Sequence, residues 1–326
     1  MNVRRAAAKP DNNSGRSRAA KIKWAGIGTI FAVLGMVGCS RIGVSGSPVT
    51  TAPGPLAARP QVPIQPHTGL PQDSAASAVS PNQLSARAAL TLVKDERDKY
   101  WLVARHEVYK SALELAAQDQ TEKMRGVYLD KVLRGPPGSR RIALTFDDGP
   151  HPNYTLKLLQ ILGQNKIHAT FFVVGEKAEE YPDLVRAEVA AGDEIGNHTY
   201  DHVSLIKIPA GYVATEIRTC GDVIRSITGK TPTLFRPPGG EYNEDVVHQA
   251  QALGYRMILY SDDPGDYAQP GTGLIETRTL DTIGDGGIIL LHDGSQQTLT
   301  VLPTLISRLK ARGFQFVTVS QMLDTH

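Results

Sequence analysis

The sequence predicts an α/β fold with a parallel sheet, open or closed into a barrel. Three observations predict it. From residue 138 onward, apolar strand-like runs alternate with helix-like runs, the order expected when parallel strands are joined by helices. About seven strands in about 190 residues suit a barrel slightly smaller than the eight-stranded kind. Charged or imidazole side chains follow five separate strands at the same end, where parallel barrels carry their chemistry.

The chain has 326 residues, enough for about two domains. With 41% hydrophobic and 21% charged residues it is no collagen, no wholly disordered chain and no multispan membrane protein. Two cysteines exclude a disulfide scaffold and a Cys-rich zinc site. The net charge of +2 hides an asymmetry: residues 1–23 hold seven Lys and Arg against Asp11, a local +6, which leaves the rest at −4. A slightly acidic body is a poor match for nucleic acid.

The basic head precedes an uncharged stretch, Trp24 to Gly38, that ends at Cys39. A basic region, an apolar core and a small residue at the cut form the order of a secretory signal. Met36-Val37-Gly38-Cys39 resembles a bacterial lipobox, with Cys39 as the lipidation site, although Met36 stands where Leu is usual. An uncleaved anchor and a soluble secreted form are the other readings. All three place the body outside the cytoplasm, the first two attached to a membrane of the cell envelope. Residues 40–83 are rich in Pro, Ser and Ala without a hydrophobic period, and read as a disordered tether with a mean reach of about 35 Å. Residues 84–134 lack Pro, and their mixed three- and four-residue apolar steps predict one or two amphipathic helices.

Within the body, strands are expected at Arg141–Phe146, Thr170–Val174, Glu194–Asn197, Thr233–Phe235, Arg256–Tyr260, Gly287–Leu291 and Phe314–Val319. Helices are expected at Tyr154–Leu162, Ala178–Ala190, Tyr212–Ile227, Glu244–Leu253 and Leu299–Lys310. Asn243 suits an N-cap, with Glu244 and Asp245 favourable in the first turn. Cys220, on a helical pattern, reads as a buried small apolar residue rather than a nucleophile.

The polar groups after the strands carry the chemistry. Asp147 and Asp148, in TFDDGP, are adjacent carboxylates whose side chains diverge on an extended chain, so one can bind a metal while the other stays free as a base. A surface Asp-Asp-Gly-Pro turn is the plain alternative. His198 and His202 form an i, i+4 pair that would face one side of a helical turn. Alone the pair is not specific; with Asp148 it makes three ligands that leave open positions, the pattern of a catalytic rather than a structural metal site. Arg236, in RPPGG, can hold a carboxylate by paired hydrogen bonds, and Gly239 and Gly240 let a backbone N–H approach a substrate. His292 ends a buried strand and can act as a general acid, charged by Asp263 or Asp266.

Together these motifs resemble the NodB-homology polysaccharide deacetylases, carbohydrate esterase family four, over residues 138–326, with all five family motifs in order. The resemblance implies a distorted (β/α) barrel of about seven strands and hydrolysis of N-acetyl groups on a hexosamine polysaccharide. It assigns Asp147 as base, Asp148, His198 and His202 as ligands of a divalent metal, usually zinc, and Arg236 as the group that orients Asp147. It makes His292 the acid, tuned by Asp266, and lines the acetyl pocket with Leu290. The family often has Tyr at the position of Gly239, and Trp at that of Tyr267, where this chain places a smaller ring in the substrate wall. An export signal favours peptidoglycan as substrate, then chitin or poly-N-acetylglucosamine; no protein partner is implied. An O-acetyl xylan or glycan esterase and a non-catalytic glycan-binding lipoprotein are the rival readings. A phosphatase needs Asp-x-Asp, and these aspartates are adjacent.

Overall fold

The strands with the strongest apolar runs make the centre of the sheet. β2 (Arg141–Gly149), β3 (Thr170–Val173) and β7 (Ile288–His292) are buried along almost their whole length. The computed structural model describes residues 97–105 and 108–324, all within one unit, Ala75–His326. The expected signal, Cys39 and the tether lie outside the described residues.

Five more strands complete the sheet: β1 (Lys131–Val132), β4 (Glu194–Asn197), β5 (Leu234–Phe235), β6 (Arg256–Ile258) and β8 (Gln315–Phe316). Seven follow one hydrogen-bonded path, β1-β6-β5-β4-β3-β2-β7, and β8 pairs with β2 off that path. Every pairing is parallel. Just past β6 the chain bends onto β7 through a parallel bridge between Asp262 and Ile289, with Leu290 N–H donating to Asp262 O at 2.8 Å. The sheet thus curls back on itself as a distorted barrel.

Side-chain alternation sorts the core into two. Ala143, Phe172, Ile288 and Leu290 belong to one cluster, and Ile142, Leu144, Phe146, Phe171, Val173, Ile289 and Leu291 to the other. The second packs under α3 (Thr155–Asn165), α6 (Ala210–Thr228) and α9 (Gln296–Ala311), whose inward residues include Leu158, Leu162, Ile224, Leu302 and Leu305. Cys220 is buried in this layer. Each fully buried aliphatic or aromatic side chain stabilises the fold by about 1.5–3 kcal/mol.

Several elements differ from expectation. The run 178–190 is two helices, α4 (Gly175–Glu180) and α5 (Pro182–Ala190). They part at Tyr181, φ −126° and ψ 56°, because a residue before Pro avoids the helical region. Helix α8 (Thr272–Thr282) was not expected; it buries only Ile275, Thr279 and Leu280. The last strand shortens to Gln315–Phe316, since Thr318 caps α10 (Val319–Leu323) with a capping box. Asn243 caps α7 (Glu244–Ala252), accepting from Val246 N–H at 2.9 Å. In the segment before the barrel, residues 97–104 form helix α1 and Ala112–Met124 form α2, which docks Leu115 fully buried in the core. The same segment ends in β1, which extends the sheet beside β6.

Candidate active site

The barrel register brings two of the singled-out residues to the same rim. Asp147 and His292 are partners in the β2–β7 ladder, on the side-chain face that points into the barrel. Asp148 does not simply point the other way, as an extended strand would have it. The β2–β3 register shifts between Asp147 and Gly149, and Asp148 has φ +68°. This bulge re-aims its carboxylate toward the site. Lys177 donates to Asp148 O at 2.7 Å and holds the bulge from α4.

His198 and His202 do not lie on a helix. The chain leaves β4 as a loop with Thr199 at φ +66° and His202 at φ +53°, each conformation costing about 1–3 kcal/mol. Buried polar groups hold the loop. Asn197 Oδ1 accepts from Thr199 N–H at 2.9 Å, and Glu216 of α6 accepts from Tyr200 and Asp201 N–H at 3.2 and 2.9 Å. Burial lifts the Glu216 carboxyl to about 7.

The result is a three-residue cluster. One donor atom each from Asp148, His198 and His202 lies within 4.8 Å of the others. His202 Nε2 is 2.9 Å and His198 Nε2 3.4 Å from Asp148 Oδ1. Ligands at about 2.0–2.2 Å from a tetrahedral ion stand about 3.4 Å apart, so the spacing suits a single cation. The electrostatics agree. His198 Nδ1 is 2.8 Å from Arg236 O, which can only accept, so Nδ1 bears a proton. A neutral His198 then turns a lone pair toward a carboxylate oxygen, and the cluster needs positive charge, either a second proton or a cation between the donors. Burial alone would raise the Asp148 carboxyl, but the charge of His202 and hydrogen bonds from His198 and His202 hold it well below the usual range.

Arg236, 0% exposed, crosses the barrel interior. Its Nη1 reaches Asp147 Oδ1 at 2.7 Å and Thr145 Oγ1 at 2.8 Å. Nε and Nη2 donate to Ile258 O and Leu259 O at 3.2 and 3.1 Å, and the guanidinium lies 4.1 Å from the Phe172 ring centroid. The ion pair is therefore single-pronged, with the rest of the fork used to lock the arginine. Asp147 Oδ2 is left facing His198 Nε2 at 3.7 Å.

His292 is held by Asp266, not by Asp263. Asp266 Oδ1 lies 2.7 Å from His292 Nδ1, while its Oδ2 accepts from His292 N–H at 2.8 Å and Thr298 Oγ1 at 2.5 Å. Asp263 instead accepts from Gly265 N–H at 2.9 Å. Burial works against the imidazolium, but the Asp266 charge and hydrogen bond outweigh it, with Asp148 and Asp147 adding, and push the pKa up to about 10.

Gly239 and Gly240 both have positive φ, +62° and +66°. Gly240 N–H is committed to Pro237 O at 3.0 Å, so Gly239 is the better placed of the two to donate to a ligand. Leu290 is buried one turn of the pleat below His292, and Tyr267 is 37% exposed beside it. Sequence reasoning missed Tyr109, whose ring stacks on Tyr267 and meets His292; only the tertiary fold brings it there.

Residues 134–258 match the profile of the family described as polysaccharide deacetylase. The chain is 39% identical over 193 residues to a peptidoglycan-N-acetylglucosamine deacetylase of Bacillus cereus, a match spanning 58% of this chain and 90% of that one. It is 36% identical over 200 residues to a chitooligosaccharide deacetylase of Bradyrhizobium, spanning 57% and 91%. A crystal structure of the Bc1960 peptidoglycan N-acetylglucosamine deacetylase superposes with TM-score 0.60 at 32% identity, covering 64% of this chain and 97% of that one.

Proposed function

The chain belongs to the polysaccharide deacetylase family, and from that premise we propose that it hydrolyses N-acetyl groups on a hexosamine polysaccharide, peptidoglycan N-acetylglucosamine first, chitin or poly-N-acetylglucosamine next. The observation that carries this reading is the pairing of Asp147 with His292 at the barrel rim, beside the Asp148–His198–His202 cluster. A divalent cation, zinc by preference, held by those three residues would polarise the acetyl carbonyl and make water a usable nucleophile near neutral pH.

The residues of the chain do the rest. Asp147 takes a proton from water as its oxygen attacks the acetyl carbon. Arg236 keeps the Asp147 carboxylate aimed. Gly239 N–H donates to the oxyanion that forms. As the C–N bond breaks, the amine nitrogen takes a proton from His292 Nε2, the ring atom left facing the cleft because Nδ1 is bonded to Asp266. Leu290 floors the acetyl pocket, and Tyr267 flanks the sugar. The products are acetate and a free amine sugar.

The N-terminal stretch supports an envelope location, with Cys39 lipidated or the apolar segment retained as an anchor. Among the described residues no helix is long and apolar enough to cross a membrane. A Cys39→Ala variant should leave the membrane fraction, and its retention there would favour the uncleaved anchor.

The test of function is acetate release by the purified protein from N-acetylglucosamine oligomers, peptidoglycan and acetylated xylan, with chelator and with added zinc. Zinc-restored release from the amides supports the assignment. Release from xylan alone would replace it with an ester hydrolase.

A further inference from the structure

The loop that carries His202 has two non-glycine residues at positive φ, Thr199 and His202, and such a shape persists only where groups outside the loop hold it. Asn197 and Glu216 hold its first half. Helix α1, which lies outside the family match at residues 134–258, grips it on both sides of His202. The Trp101 indole N–H donates to Asp201 Oδ2 at 2.6 Å, one residue before His202. Two residues after it, Ser204 N–H donates to Ala104 O at 2.9 Å.

Both ties follow from elementary chemistry. Carbonyls in the last turn of a helix lack a partner within it, and Ala104 O takes its proton donor from the loop. A buried indole N–H needs an acceptor, which Asp201 supplies. Trp101 is 5% exposed, and its ring meets Tyr212 of α6 edge-on, at 5.3 Å and 86°. Tyr212 lies one helical turn before Glu216, so the face of α6 that accepts from Asp201 N–H also backs the tryptophan. Ala104, Val203 and Leu205 share the core cluster of Trp101, which packs α1 against the loop. The other two members of the cation cluster are held from elsewhere. His198 Nδ1 bonds to Arg236 O, and Lys177 holds the bulge of Asp148.

We propose that Trp101 is a positioning residue for the metal ligand His202, so that helix α1 together with the barrel builds the cation site. The proposal rests on the reading of Asp148, His198 and His202 as a metal site. Trp101 touches neither ion nor substrate in this scheme. It fixes the Asp201 side chain, and with it the direction in which the next residue presents its imidazole.

The test is a double-mutant cycle in the full chain, with zinc affinity read by calorimetry and folding checked by urea unfolding. Trp101→Phe keeps an aromatic ring in the core and removes only the donor. It should weaken zinc binding about three- to tenfold, less than the about 10–100-fold typical when a partner bonded to the ligand itself is lost. In the Asp201→Ala background the same change should cost less than about twofold, because the acceptor is already gone. Wild-type zinc affinity in Trp101→Phe, or an equal loss in both backgrounds, would overturn the assignment. Should Trp101→Phe fail to fold, Asp201→Asn and Asp201→Ala decide, since both lose the charge and only Asn keeps an oxygen for the indole. Tighter zinc binding by Asn than by Ala supports the proposal, and equal affinities overturn it. A wild-type protein that takes up no zinc overturns the metal reading and the proposal together, whereas zinc uptake indifferent to Trp101 overturns the proposal alone.

Discussion

Asp147 and His292 stand opposite one another in the β2–β7 ladder, and Asp293 N–H donates to Asp147 O at 2.8 Å immediately beyond them. Neighbouring strands are about 4.7–4.9 Å apart, so backbone pairing rather than side-chain reach sets the distance between the proposed base and acid. No loop movement is needed to bring them together.

Arg236 is the first test of that rim. It is buried with Asp147, and a buried charge that loses its partner destabilises a fold by about 3–5 kcal/mol. Arg236→Met should lower the unfolding free energy measured by urea titration by that amount and also cut kcat/KM. Arg236→Lys keeps the charge but not the bonds to Ile258 O and Leu259 O, so it should regain part of the stability and little of the activity. A Met variant as stable as wild type would contradict the ion pair's structural role.

His292 supplies a pH prediction. Its folded pKa of about 10 lies above the ordinary 6.5, so its contribution to stability is full below about 6.5 and is lost as pH rises through about 10. NMR of the metal-free protein should find His292 titrating near 10. In Asp266→Asn the largest counter-charge and its hydrogen bond are gone while burial remains, so the titration should fall well below 10, and the alkaline limb of kcat/KM should move down with it. An unmoved titration would show that Asp266 does not hold the proton.

Glu188 of α5 is buried with both carboxylate oxygens lacking a hydrogen-bond partner. Burial, with Asp293 and Asp193 adding repulsion, pushes its carboxyl well above the usual range. The unfolded chain ionises here above about 4.5 while the folded one stays neutral, so this group weakens the fold as pH rises. Glu188→Leu should stabilise by about 1–3 kcal/mol, more at pH 8 than at pH 5, by thermal unfolding. A destabilised Leu variant at pH 8 would mean the carboxyl has a partner in solution.

His202 tests the cation cluster without an activity assay. Zinc uptake by calorimetry should reach one ion per chain, and His202→Ala should weaken it by more than about a hundredfold, since losing a ligand exceeds the about 10–100-fold effect of losing its outer partners. Equal affinity in the two proteins would place the ion elsewhere.

Much of this was legible in the residues, for physical reasons. β2, β3 and β7 are buried on both faces and read as continuous apolar runs, so the polar groups at their ends stand out. What escaped had no local signal. β1 is two residues long and exists only because β6 lies beside it. Helix α8 buries a narrow face, which blurs its period. The His198–His202 spacing suggested a helix, but Glu216 and Asn197, distant in sequence or turned inward, impose a loop instead. Tyr109 reaches His292 across 183 residues of chain, a contact no pattern near position 109 announces.

The most direct measurement compares wild type with Asp147→Asn at equal bound zinc, by acetate release from N-acetylglucosamine oligomers. The account predicts release that stops with chelator, returns with zinc, and falls by about 10²–10⁴-fold in the variant while its zinc content stays at one per chain. Acetate release by Asp147→Asn at the wild-type rate would contradict it.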